Sequence, residues 1–222
     1  MNHSVSRSWS CVLFDLDGTI LDSAPGIIDS LVDTFKHVGL PVPPRDELMH
    51  YIGPPLHVSF QERAGMSESE ARQTLDIYRS DYRKDGAFDA AIFPGIIGLL
   101  ESLVQGGVPL AIATSKPHSQ TERILEHFDI TKFFTVVSGA SEDEQRSSKA
   151  DIVGYALSQL SAGNVDTSRA VMVGDRIYDV EGAAAHGVPA IIVEWGYGSP
   201  AEASGALATV YSADQLREML VG

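Results

Sequence analysis

The stretch that decides the fold is CVLFDLDGTILDS, Cys11 to Ser23. Four apolar residues ending at Phe14 run directly into Asp15 and Asp17, which are followed by Gly18 and Thr19. A continuous apolar run of this length predicts a strand covered on both faces. The two carboxylates at its end repel each other, and an apolar strand relieves neither. A divalent cation resolves the conflict, since hard oxygen ligands are what such an ion binds.

Working outward, further apolar, β-branched runs predict strands at Pro109–Thr114, Thr135–Ser138, Ala170–Asp175 and Ala190–Glu194, with the first at Ser10–Asp15. Helical periodicity fills the intervals, as in Ile96, Ile97, Leu100, Leu103 and Val104, and again in Ile152, Val153, Ala156, Leu157 and Leu160. Ser212 with Gln215 predicts a capping box opening a last helix. Strand–helix alternation of this kind specifies an α/β fold with an open, doubly wound parallel sheet.

The rhythm breaks once. Between about Asp22 and Phe88 there are helices and no good strand. Ser23 is placed to cap a helix that stops at Gly39, a short helix follows around Asp46–Ile52, and a third runs from Leu56 to Ala64. Ser67 and Glu70 form a capping box for a fourth that continues to Gly86. The expected organisation is therefore a core of residues 1–21 and 89–222, with a helical cap of residues 22–88 inserted after the first strand.

Composition excludes several functions. The chain has 222 residues and a formal net charge of −14, with no Lys/Arg-rich run, so a nucleic-acid polymer is not the expected partner. Cys11 is the single cysteine, which rules out an intrachain disulfide or a Cys-based zinc cluster, and its apolar neighbours predict a buried side chain. The seven histidines show no ligand spacing. No window is long and apolar enough for a membrane span, and MNHSVSRSWS does not resemble a signal peptide, so the cytoplasm is expected. Oligomeric state leaves no readable pattern.

In open parallel sheets ligands bind beyond the carboxyl ends of the strands. Asp15, Asp17, Gly18 and Thr19 stand there, as do Thr114, Ser115 and Lys116, and Gly174 and Asp175 with Asp179 one helical turn on. Lys149 opens a helix on the same rim. These residue types suit a phosphate ester: a carboxylate nucleophile, a hard cation to let two anions meet, a second carboxylate for proton transfer, and a lysine and hydroxyl for phosphoryl oxygens.

FDLDGT at Phe14–Thr19, ATS at Ala113–Ser115, Lys149 and GDRIYD at Gly174–Asp179 resemble, in order, the four motifs of the haloacid dehalogenase-like hydrolases. The resemblance spans essentially the whole chain and matches the subgroup with a helical cap between the first two motifs. It implies Asp15 as nucleophile and Asp17 as general acid/base. Thr114, Ser115 and Lys149 would bind the phosphate, while Asp15, the Asp17 backbone carbonyl and Asp175 would ligate Mg²⁺. Asp179 would act behind the metal. Asp17 narrows the choice, because phosphatases and phosphosugar mutases of the family keep that aspartate. LDSAPGI, TSKP, RSSKAD and GDRIYDVEGA resemble members named phosphoglycolate phosphatase or 5′-nucleotidase. The implied substrate is a small-molecule phosphate ester; a mutase of the β-phosphoglucomutase type and a catalytically silent binding protein are the alternatives.

Outside the motifs, Arg45, Arg83 and Gly53 in the YIGPPL loop (Tyr51–Leu56) are candidates for specificity. Gly53-Pro54-Pro55 reads equally as a rigid helix–helix turn. Tyr78 and Tyr82 read as packing, Arg176 as a rim residue, and Glu142–Glu144 with Arg146 as a solvated loop.

Overall fold

The computed structural model describes residues 9–143 and 145–221, and among these all side chains but those of Arg83 and Asp85. The Arg83 side chain and Glu144, both singled out above, thus lie outside the described residues.

The opening run forms β1 (Cys11–Phe14), buried at every residue. A two-residue strand β2 (Leu21–Asp22) leads into α1 (Ala24–His37), α2 (Arg45–Met49), α3 (Leu56–Ala64) and α4 (Glu68–Asp81). A π-helical turn at Tyr82–Gly86 and a second short strand β3 (Ala91–Ile92) bring the chain back. Then follow α5 (Ile96–Gln105), β4 (Leu110–Pro117), α6 (His118–His127), β5 (Val136–Ala140), α7 (Lys149–Ala162), β6 (Ala170–Gly174), α8 (Ile177–Ala184), β7 (Ala190–Val193), β8 (Ala208–Val210) and α9 (Ala213–Val221).

Six strands make one parallel sheet in the order β5-β4-β1-β6-β7-β8. β1 is central, with Phe14 in register with Ile112 of β4 and Val173 of β6. Side chains alternate across it. Cys11 and Leu13 join an apolar cluster with Ile152, Val153 and Leu160 of α7, while Val12 and Phe14 join the one containing Ile96 and Leu100 of α5. Burial on both faces explains why the strands read as unbroken apolar runs; each fully buried aliphatic or Phe side chain contributes about 1.5–3 kcal/mol. The Cys11 thiol is fully buried, and burial pushes its pKa up to about 11, so it behaves as a small hydrophobe.

The second apolar cluster does not stop at the sheet. It continues through Ile27, Ile28, Leu31 and Phe35 of α1 to Leu48 of α2, Tyr51 of the turn after it and Phe60 of α3. Phe35, Tyr51 and Phe60 meet with ring centroids 5.9–6.1 Å apart in tilted and edge-on contacts. β2 and β3 pair antiparallel, Leu21 with Ile92 and Asp22 with Ala91, so the two crossings between sheet and inserted helices lie side by side. Ser67 and Glu70 form the expected capping box of α4.

Three details depart from the sequence reading. β2, β3 and β8 are additional strands, too short to leave a periodic signal. Ser23 stands at the N-cap of α1 but makes no capping bond; its hydroxyl donates to Asp17 Oδ1 instead. Pro25 has no N–H for such a cap to satisfy, and the Gly26 N–H is taken by the Asp89 carbonyl at 3.1 Å. At Ser212 the cap is shared: the Gln215 N–H donates to the Ser212 hydroxyl, while the Gln215 side chain accepts from the Tyr211 N–H. Among the described residues, no helix is long and apolar enough to cross a membrane.

Candidate active site

The parallel sheet brings the ends of β1, β4 and β6 to one edge, and the residues singled out there converge. Asp15 and Asp17 follow β1, Thr114 and Ser115 lie in β4, and Asp175 follows β6. Lys149 is delivered by a local device. Ser148 caps α7 by accepting from the Asp151 N–H at 3.1 Å, which fixes Lys149 as the first helical residue against the sheet.

Lys149 is buried, with Nζ 2.9 Å from Asp15 Oδ1, 2.7 Å from Asp179 Oδ1 and donating to the Ala113 carbonyl at 3.1 Å. Oxygens of Asp15, Asp175 and Asp179 lie within 4.8 Å of one another. Three carboxylates around one ammonium leave two negative charges unbalanced if all are ionised, and the titration directions reflect this. Burial pushes Asp15 up to about 6, outweighing the opposing pull of Lys149, with Asp179 and Asp17 adding repulsion. Burial, then Asp179 and Asp15, hold Asp175 well above the ordinary carboxylate range. Burial disfavours the Lys149 charge, but Asp15 and Asp179 more than compensate and raise its pKa.

This donor set fits a hard divalent cation. Two surplus negative charges match its charge, and oxygen is its preferred ligand. Asp175 supplies the specific observation: Oδ1 is buried without a hydrogen-bond partner, while Oδ2 accepts from the Tyr197 N–H at 2.7 Å. Asp179 is differently occupied. Its Oδ2 accepts from the Asp175 and Arg176 N–H groups at 3.1 and 3.0 Å, and its Oδ1 faces Lys149.

Asp17 stands apart from the three. Its Oδ2 is 3.1 Å from Lys116 Nζ, and its Oδ1 accepts from Ser23. Nucleophile and acid/base candidates thus have different cations, Lys149 for Asp15 and Lys116 for Asp17. Asp15, Asp17, Thr114 and Ser115 open onto a cavity of about 110 Å³ roofed by the Tyr51–Leu56 loop, Tyr78 and Tyr82. Gly53 lines it, at φ +109°, and a Cβ there would sit 2.9 Å from Arg176 Nη1. Arg45 does not line it; the side chain is exposed at the start of α2. Arg146 is also elsewhere, donating to the Gly139 carbonyl and stacked over Tyr155 at 3.9 Å.

The motif order has a counterpart among known proteins. The family model of the haloacid dehalogenase-like hydrolases matches residues 12–193. The chain belongs to that family. It is 43% identical over 221 residues to tyrosine-protein kinase PtkA of Mycobacterium tuberculosis, covering 98% of this chain and 74% of that protein. It is 35% identical over 211 residues to a 5′-nucleotidase of Pseudomonas aeruginosa, covering 94% of each. Among solved structures, a predicted phosphatase from Clostridium acetobutylicum superposes with a TM-score of 0.89 at 38% identity, covering 95% of this chain and 97% of that one.

Within this haloacid dehalogenase-like chain, three contributors make contacts that the sequence did not reveal, although Lys116 and Arg176 were already placed on the rim. The segment Trp195–Gly198 wraps the β1 loop: Trp195 Nε1 donates to the Thr19 carbonyl, and the Tyr197 hydroxyl accepts from the Ser23 and Ala24 N–H groups. Gly18, at φ +81°, and Gly196 leave room for Asp175, since a Cβ on either would lie 2.2–2.3 Å from it. The available signal was WGYG directly after a strand. Arg176 is the second: it is buried, donates to the Ile52 carbonyl, and is held by Glu202 at 2.8 Å. Lys116 is the third.

Proposed function

We propose that this protein is a cytoplasmic, Mg²⁺-dependent phosphomonoester hydrolase of small soluble phosphate esters, working through an aspartyl-phosphate on Asp15. The observation that carries it is the separation of the two carboxylates: Asp15 lies with Asp175, Asp179 and Lys149, while Asp17 lies with Lys116 and Ser23. That separation supports reading Asp15 as the nucleophile and Asp17 as the group that handles protons.

Asp15 would attack phosphorus, and the bond to the leaving oxygen would break as Asp17 gives that oxygen a proton. Asp17, now anionic, would take a proton from water, which attacks the aspartyl-phosphate and returns Asp15 and inorganic phosphate. Lys149 and the Thr114 hydroxyl would hold the phosphoryl oxygens as charge shifts during both steps. A divalent cation, held by Asp15, Asp175 and the Asp17 carbonyl, would supply charge neutralisation between nucleophile and phosphate. Asp179 would fix Lys149 and the Asp175 backbone.

Residues 22–88 would act as a cap over the site, excluding water and contacting the leaving group. A cavity of about 110 Å³ is small beside the several hundred typical of larger ligands, which favours a compact ester such as phosphoglycolate over a nucleoside 5′-monophosphate. Phosphate release from a panel of both, with Mg²⁺ and with EDTA, tests the reading; no Mg²⁺-dependent release from any ester refutes it. Sugar phosphates in the same panel, analysed for isomerised product, separate hydrolysis from a mutase. The 43% identity to a protein named tyrosine-protein kinase favours a second reading, phosphoryl transfer to a tyrosine hydroxyl. Incubation with ATP and a tyrosine peptide, read as phosphotyrosine formed, decides between the acceptors.

A further inference from the structure

Lys116 has no part in the reaction as written above, yet its surroundings give it one. It follows Thr114 by two residues in β4, and its side chain is only 6% exposed. Nζ lies 3.1 Å from Asp17 Oδ2, donates to the Tyr82 hydroxyl at 2.9 Å, and sits 4.6 Å from the centroid of the same ring. Tyr82 is itself buried and stacks on Tyr78 with centroids 5.4 Å apart, so its position is fixed by the inserted helices.

The Asp17 carboxylate is therefore gripped at both oxygens. One donor is Ser23, where the chain enters the inserted helices; the other is Lys116, tied to Tyr82, where the chain leaves α4. An ammonium buried this deeply is strongly destabilised without its anion, so lysine and carboxylate keep each other in place. A group that delivers a proton must be held within hydrogen-bond reach of the leaving oxygen.

We propose that Lys116, held by Tyr82, is a positioning residue that aims the Asp17 carboxyl at the leaving-group oxygen. The inference rests on the phosphomonoesterase reading. The plainer role for the same contacts is a bolt between β4 and the inserted helices, and leaving-group chemistry separates the two. An alkoxide leaves poorly without a proton, whereas p-nitrophenolate leaves without one. Hydrolysis of the phosphoenzyme is common to all esters, so the discriminating quantity is kcat/KM, which reports phosphoenzyme formation: a mis-aimed Asp17 lowers it selectively for alkyl esters, and a loosened bolt lowers it for all esters alike.

The experiment compares wild type, Lys116→Met and Tyr82→Phe on p-nitrophenyl phosphate and on whichever of phosphoglycolate and adenosine 5′-monophosphate turns over faster. For Lys116→Met we expect kcat/KM on the alkyl ester to fall about 100-fold, a typical general-acid contribution, with less than about a fivefold fall in kcat/KM on the aryl ester. Tyr82→Phe keeps the ring and loses the hydroxyl, so a smaller fall confined to the alkyl ester is expected; it carries the test alone if Lys116→Met does not fold. Equal losses of kcat/KM on both esters, or no loss on the alkyl ester, overturn the positioning role and leave the phosphatase reading standing. A wild-type protein inert on both esters overturns that reading and the role of Lys116 with it.

Discussion

On the sheet side of the cleft, Asp15, Asp175 and Lys149 come from two strand ends and one helix start, with Asp179 in the first turn of α8. On the helical side, Gly53, Tyr78 and Tyr82 come from a loop, a helix and an irregular turn, and reach the core through Arg176 and Lys116. The sheet side is a charge problem: three buried carboxylates share one ammonium, with Asp15 and Asp175 pushed toward protonation. The helical side is a packing problem, in which apolar and aromatic surface is tied down by two cation contacts. The difference teaches where each kind of change should register. Substitutions on the sheet side should abolish chemistry; those on the helical side should alter proton delivery or substrate affinity.

The largest effect expected is on the sheet side. Asp15→Asn removes the nucleophile and should lower turnover by about 10⁴-fold or more while leaving a folded protein, measured as phosphate release beside a circular dichroism spectrum. Comparable activity in Asp15→Asn would end the aspartyl-phosphate mechanism. Removing divalent cations with EDTA should silence the enzyme and Mg²⁺ should restore it; turnover that survives exhaustive chelation would show that the surplus charge is balanced by protons instead.

Asp17→Asn sits on the boundary between the two sides. Its expected loss is about 10²–10⁴-fold on alkyl esters, with phosphoenzyme accumulating under rapid quench. A fall without accumulation would place Asp17 in the first step only.

Smaller effects belong to the helical side. Arg176→Ala deletes the contact to the Ile52 carbonyl, and KM should rise about tenfold, the size of one charge-assisted hydrogen bond, with kcat within about twofold. A loss in kcat instead would move Arg176 into the chemistry. Smallest is Glu202. Burial opposes its charge, but the Arg176 hydrogen bond and the Ser199 and Ile177 N–H groups outweigh it and hold its pKa below the ordinary value. A carboxylate whose folded pKa is depressed stabilises the fold above its unfolded pKa and loses that contribution as pH falls through the folded one. Glu202→Gln should therefore lower the unfolding free energy from urea titration at pH 7 by less than about 1 kcal/mol, and match wild type at about pH 3. An undiminished difference at low pH would contradict an ionic origin.

How much of this was legible follows from the distances along the chain over which each feature is decided. The capping box at Ser67 and Glu70 was readable because three residues settle it. Ser23 looked like an equivalent cap and is not, because its hydroxyl is turned to Asp17 and the Gly26 N–H it would have satisfied is taken by the Asp89 carbonyl, from a residue far along the chain. Arg45 looked like a specificity residue from charge and proximity to the loop, but the α2 orientation leaves it outside the cleft. Lys116 was visible at the end of a strand, yet nothing local distinguishes a solvated lysine from one buried against Asp17 and Tyr82.

The sequence by itself determined the parallel core and the chemistry-bearing rim. Unbroken apolar runs must be covered on both faces, and a parallel sheet then carries the residues after its strands to one edge. Only the tertiary structure decided which cation serves which carboxylate, how Asp175 comes to keep one oxygen unpartnered, and what roofs the cavity. Those outcomes depend on residues far apart in the chain, such as Tyr197 with Asp175 or Arg176 with Ile52, whose meeting is fixed by packing rather than by spacing.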